Sequence, residues 1–110
     1  TIKASGEVVD LKSTGLPLGL IADTIINTSF PQDLEPGDVL FIPTDGFQEA
    51  HTKSNVLFGL NRTLNLVKEN RAKTSTEIIK VLHAAVCEHV GSESTPDDMS
   101  AIIVRCLEPA

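Results

Sequence analysis

Two acidic points in the sequence stand where an apolar run meets a loop. Asp45 precedes Gly46 at the end of Val39-Leu40-Phe41-Ile42-Pro43, and Asp97-Asp98 stands directly before Met99 to Leu107, whose centre is Ile102-Ile103-Val104. Carboxylates brought together repel one another and raise each other's pKa unless a cation compensates. Hard oxygen donors of this kind suit Mg2+ or Mn2+, which take a few carboxylates and keep several waters. Convergence here requires that the two apolar runs pair as neighbouring strands. Gly46 would let the backbone turn sharply and bring its own carbonyl near the site. The same residues admit a plainer reading, because Asp-Gly is a common turn and acids ahead of a strand often guard a sheet edge. Spacing alone leaves both open.

Other chemistry is harder to assemble. His83 and His89 are six residues apart on one expected helix, about 240° around its axis, so they cannot share a ligand. His51 lies near the Asp45 loop but has no partner of matching type in sequence. Cys87 and Cys106 are too few to staple the domain and read as reduced, mostly buried thiols of a cytoplasmic protein. Metal ligation through Cys87 and His89 would need a second close pair, which the sequence lacks. No glycine-rich phosphate cradle, Ser-His-Asp arrangement or activated cysteine can be built from these residues.

The elements that must position the acids follow from period and punctuation. Thr1 to Leu11 reads as a hairpin turning at Ser5-Gly6, and Ser13 to Gly19 as a loop. Ile25 to Phe30 alternates with Ile26, Thr28 and Phe30 on one face, which predicts a strand. Glu35-Pro36-Gly37-Asp38 fits a type II turn with the glycine at positive φ. Val39 to Ile42 is continuously apolar, which predicts a strand buried on both faces, ending at Pro43. Leu57, Leu60, Leu64 and Val67 mark an amphipathic helix, and Asn70 to Lys73 a polar break. Thr74 with Glu77 forms a capping-box pattern opening a second helix, whose inner face is Ile78, Leu82, Ala85, Val86 and His89 and whose stop is Gly91. Ser92 to Pro96 is a loop, and Met99 to Leu107 the last strand. The order predicts an α+β fold, antiparallel strands covered by two helices.

Composition narrows the partners. The 110 residues carry 9 basic and 15 acidic side chains, a formal charge of −6, with no Trp, no Tyr and four Phe. Such a chain repels phosphate backbones and offers little for bases to stack on, so nucleic acid is not an expected partner. No apolar run approaches the roughly 18 residues needed to span a bilayer, so this segment is not expected to insert in a membrane. With a first residue of Thr1 at a strand-like stretch, the chain reads as a piece of a larger protein.

Three collinear blocks resemble one family. Leu34 to Ala50 (LEPGDVLFIPTDGFQEA) is similar to the "LxPGDxLLLYTDGVxEA" block of the metal-dependent protein phosphatases (PPM), in particular the bacterial SpoIIE/RsbU-like branch. Phe58 to Arg62 resembles that branch's "FGxxRL" helix start. Pro96 to Val104 resembles its closing "xxDDxTxxVV" strand, and Ser13 to Leu20 fits the segment carried upstream. The resemblance implies part of an αββα sandwich with metals between the sheets. It implies that Asp45 and Asp97 are metal ligands, that Asp98 supports them from outside, and that Glu49 helps hold a third metal. Two departures stand out. Pro43 replaces the usual aromatic or small residue and would tilt the Asp45 loop, and Ser100 replaces the usual Thr with nearly neutral effect.

The family's first ligand block, an Asp near the domain start and a metal-bridging Asp-Gly, has no counterpart before Asp45. Residues 1–110 would therefore be the C-terminal portion of the catalytic domain, with the N-terminal half absent. An intact domain would hold two Mg2+ or Mn2+ ions about 3.5–4 Å apart. The likeness implies a phosphoserine/phosphothreonine protein phosphatase, a phosphorylated STAS-type anti-anti-sigma substrate in bacterial sigma-factor signalling, and sensor or response-regulator domains upstream. The 110-residue piece alone is expected to be inactive. The alternative is a non-catalytic, protein-binding regulatory domain of the same fold.

Overall fold

β1 (Val39–Pro43) runs antiparallel to β2 (Ala101–Arg105), in a register that pairs Val39 with Arg105, Phe41 with Ile103 and Pro43 with Ala101. A computed structural model describes residues 1–28, 32–92 and 98–109 of the chain. On the far side of β1 the N-terminal hairpin adds one rung. Ile2 and Val39 exchange both backbone hydrogen bonds at 2.8 Å, and Ile2 also bridges Val8. The hairpin turns at Lys3 to Gly6, with the Gly6 amide on the Lys3 carbonyl and φ of +92° at Gly6.

The turn into β1 has the expected chemistry. The Asp38 amide donates to the Glu35 carbonyl at 2.9 Å, and Gly37 takes φ of +89°, which a side chain would resist. Both the Gly37 amide and the Asp38 carbonyl then bond to Cys106, so two residues of one strand oppose one of the other. That is a β-bulge, and it ends the ladder at this side.

Three helices follow β1. α1 (Gly46–Glu49) is a single turn, α2 covers Leu60–Glu69 and α3 covers Ser75–Val90. α3 has both ends specified by sequence. The Thr74 hydroxyl accepts from the Glu77 amide, the Glu77 carboxylate accepts from the Thr74 amide, and Gly91 caps the C-terminus in the left-handed conformation. Its buried stripe is Ile78, Leu82 and Val86, with Ala85 and His89 at the margin. These meet Val67, Phe47, Phe58, Val39, Phe41 and Ile2 in one core. Each such side chain contributes about 1.5–3 kcal/mol on leaving water.

Several expectations need correction. β1 is buried on one face only: Val39 and Phe41 point into the core, whereas Ile42 is 50% exposed. Ile102 and Val104, which pair with Ile42 and Leu40, are exposed too, so the helices cover one side of the sheet among the described residues. Among the described residues the architecture is α+β with a two-stranded antiparallel sheet and three helices, one helix more than expected. Ile25 to Thr28 form no strand, and Ile25 is 86% exposed; Phe30 lies outside the described residues. Among the described residues β1 pairs with Ile2 at Val39 and with β2 along its length, and residues 25–28 join neither strand. α2 starts later than the leucine spacing predicts. Leu57 is held in a bridge with His51, and Gly59 at φ of +84° directs the chain into the helix. Thr63 and Val67, rather than Leu57 and Leu60, are the buried positions. Thr63 can lie in the core because its hydroxyl donates to the Gly59 carbonyl at 2.8 Å. Neither cysteine forms a disulfide, and both are half-buried rather than mostly buried. No helix among the described residues is long and apolar enough to cross a membrane.

Candidate functional site

Pairing of the two apolar runs brings their acid-bearing ends to one edge of the sheet. Beyond the last strand pair, Pro43 with Ala101, the Thr44 amide donates to the Ser100 carbonyl at 2.9 Å. Asp45 follows at once as the N-cap residue of α1. Its backbone is helical (φ −60°, ψ −19°) and its carbonyl accepts the amides of Gln48 and Glu49. The Asp45 side chain makes no capping hydrogen bond and is exposed, so the carboxylate is left for another use.

Gly46 is buried, and the reason is proximity. A Cβ there would lie 2.5 Å from the Asp98 carbonyl oxygen and 2.9 Å from the Met99 side chain. Only a residue without a side chain lets the Asp45 loop lie flat against the start of the last strand. The Gly46 carbonyl accepts the Ala50 amide and retains a second lone pair. Asp98 is exposed on the segment that Gly46 touches. Glu49 is one helical turn beyond Asp45, with its amide on the Asp45 carbonyl, so the two carboxylates lie on the same face of α1. Asp97 lies outside the described residues.

These groups fit a hard cation by donor type, being carboxylate oxygens at an exposed sheet edge. Among the described residues, no three His, Cys, Asp or Glu side chains converge to hold a metal, so Asp45, Glu49 and Asp98 are at most part of a donor set.

The remaining candidates serve the fold. His51 bonds the Glu49 carbonyl and His83 contacts Cys87 along α3. His89 bonds Arg62 through Nδ1 and the Val56 carbonyl through Nε2, while its ring meets Phe58 edge-on. Arg62 has no acceptor atom, so Nδ1 accepts and Nε2 carries the hydrogen. Arg62 also stacks over Phe58 at 4.5 Å from the ring centre. The Phe58-to-Arg62 block is thus the joint between α2 and α3.

Pro43 does not tilt the Asp45 loop. Even-numbered residues at the two ends of the β1 segment, Asp38 and Thr44, bond toward β2, whereas Val39 bonds toward Ile2. Pro43 shares the parity of Val39, so its missing N–H removes no bond to β2, and pairing continues through it to Ser100. Ser100 contributes its backbone groups to the Thr44 contacts, which is why its side-chain identity matters little there.

One important acid was not evident from sequence. Asp38 is only 2% exposed and accepts from the Glu35 amide at 2.9 Å, Lys3 Nζ at 3.0 Å and the Ala4 amide at 2.8 Å. Those donors, the Glu35 amide foremost, hold its carboxyl down at about 2. The same contact raises the Lys3 ammonium. Asp38 ties the hairpin to the turn that launches β1. The Pro-Gly-Asp triplet was the only signal, and it marks the turn without naming partners more than 30 residues earlier.

Comparison with known proteins agrees with the motif blocks. The sequence model of the stage II sporulation protein E (SpoIIE) family matches residues 2–107. Protein IcfG of Synechocystis sp. (strain ATCC 27184 / PCC 6803 / Kazusa) is 29% identical over 97 residues, covering 86% of this chain and 14% of that protein. The chain therefore spans a small part of the relative it matches. No solved structure matches it. With the family match running nearly end to end, across the Asp45 loop and the last strand alike, the chain belongs to the SpoIIE family, of phosphatase type.

Proposed function

We propose that residues 1–110 are the C-terminal part of a metal-dependent protein phosphatase domain that hydrolyses phosphoserine or phosphothreonine. Asp45 and Asp97 ligate Mg2+ or Mn2+, Asp98 supports them and Glu49 contributes to a third ion. The observation that supports this most is the Asp45 loop: an exposed, uncapped carboxylate next to Gly46, whose backbone packs against the Asp98 carbonyl, in a chain of this family. Bound as a pair in the intact domain, the ions would polarise the phosphoryl oxygens and activate water for direct attack on phosphorus, without a phosphoenzyme. The chain's own part is positional. Gly46 keeps the loop flush with the last strand, and α1 holds Glu49 on the same side as Asp45.

In this reading the substrate is a phosphorylated STAS-type anti-anti-sigma protein, sensor or response-regulator domains lie upstream, and the protein works in the cytoplasm. The test is Mn2+-dependent release of phosphate from a phosphoserine peptide by the intact protein. Activity that vanishes in Asp45→Ala and Asp97→Ala is the expected result; unchanged activity in both overturns it. The isolated 110-residue piece should show none.

A second reading, a non-catalytic protein-binding domain of the same fold, draws on the uncovered apolar side. An open groove of about 650 Å3 runs past Val8, Leu11, Leu40, Ile42, Leu60 and Leu64. It predicts an intact protein that binds its partner equally well with and without divalent cation.

A further inference from the structure

Thr44 is where the sheet stops and the Asp45 loop begins, and its side chain does the work of a backbone group. In an antiparallel ladder, the residue opposite Ser100 would both donate its amide to the Ser100 carbonyl and accept the Ser100 amide on its own carbonyl. Thr44 does the first at 2.9 Å. The Ser100 amide goes instead to the Thr44 hydroxyl, at 3.0 Å, and that hydroxyl also approaches the Ser100 carbonyl at 3.1 Å. The Thr44 carbonyl is thereby released from the ladder and receives the Phe47 amide at 3.4 Å, the first turn of α1. One hydroxyl closes the ladder while the main chain turns away from it.

We propose that Thr44 is a positioning residue that fixes the spacing between the two acid-bearing segments. Without the hydroxyl, the Ser100 amide must either recapture the Thr44 carbonyl, which unwinds the start of α1, or go unpaired. Either outcome moves Asp45 relative to the segment that begins at Asp98. A threonine or serine satisfies the geometry; valine matches threonine in shape and fails in chemistry. The inference rests on the reading of Asp45 as a ligand.

The experiment is a calorimetric titration of the full-length protein with MnCl2, comparing wild type with Thr44→Val, Thr44→Ser and Asp45→Ala. Thr44→Val is expected to weaken Mn2+ binding by roughly 10- to 100-fold, the range for groups that orient ligands, while Thr44→Ser stays close to wild type. Wild-type affinity in Thr44→Val, or equal losses in Val and Ser variants, would overturn the role of the hydroxyl. Wild-type affinity in Asp45→Ala would instead overturn the underlying metal reading, which separates the two failures. Hydrogen exchange on the wild-type protein covers the case in which Thr44→Val does not fold. The Ser100 amide should be protected like the ladder amides, and exchange at the rate of an open loop would refute the clasp.

Discussion

Asp38 and Asp45 flank the same strand, and the fold treats them in opposite ways. Asp38 is buried at the entry of β1, where two backbone amides and a lysine bond its oxygens. Asp45 is exposed at the exit, on the N-cap of a one-turn helix whose amides its side chain does not cap. A buried carboxylate held by three donors serves structure and has little left for a ligand. One left bare at an N-cap, where capping would be worth about 1 kcal/mol, gives up stability that an aspartate at that position ordinarily supplies. The contrast ties one end of the strand to folding and, under the proposed function, leaves the other for metal binding.

Substitution at the two ends should separate these roles. If the proposed function holds, Asp45→Ala in the intact protein is expected to lower Mn2+-dependent phosphatase activity by on the order of 100-fold or more, because it would remove a ligand worth several kcal/mol of charge stabilisation. Its melting temperature without metal should move by no more than about 2 °C, as for other exposed sites. Asp38→Ala should do the reverse, lowering the melting temperature by on the order of 10–15 °C by leaving the Ala4 and Glu35 amides without their acceptor. Equal thermal losses in the two variants would break the comparison.

Acidity sharpens it further. The Asp38 carboxyl is lowered from its usual value near 3.8 to about 2 in the folded state. The unfolded chain therefore takes up a proton first as pH falls, and the contribution of Asp38 is fully present above about pH 4 and lost as pH drops through about 2. Acid titration followed by circular dichroism should show a steeper loss between pH 4 and 2 for wild type than for Asp38→Asn. Parallel curves would remove Asp38 from the account.

Smaller effects test the surroundings of each end. Gly46→Ala should cost about 1–3 kcal/mol, because the added methyl meets the Asp98 carbonyl and the backbone must yield; denaturant unfolding measures it. Thr74→Ala, remote from both aspartates, should cost about 1 kcal/mol through loss of the α3 cap. It should leave Mn2+ dependence unchanged.

What could be read from sequence was whatever is decided locally. The Pro36-Gly37 turn, the Thr74–Glu77 capping box and the Gly91 stop all depend on residues within one helical turn, and all formed as expected. Both apolar runs were legible as strands, and their pairing, which the sequence left as a condition, is seen in the fold. Misreadings occurred where the answer lay in a distant neighbour. Ile25 and Ile26 have strand-forming side chains, yet they pair with neither β1 nor β2 and stand exposed. The outer face of β1 reads as core, yet no described residue packs over Ile42 closely enough to bury it. Asp38 looked like a turn acid because Lys3 and Ala4 are 35 and 34 residues away. The nearness of Gly46 to Asp98 follows from the strand pairing, while the substitution of the Thr44 hydroxyl for a ladder carbonyl has no sequence pattern of its own.

The most direct test of the central claim is a Mn2+ titration of the intact protein followed by electron paramagnetic resonance, with wild type, Asp45→Ala, Asp97→Ala and Asp38→Asn side by side. Loss of bound Mn2+ signal in the Asp45 and Asp97 variants, with wild-type occupancy in folded Asp38→Asn, is the predicted result. Undiminished Mn2+ binding when Asp45 and Asp97 are both replaced would contradict it.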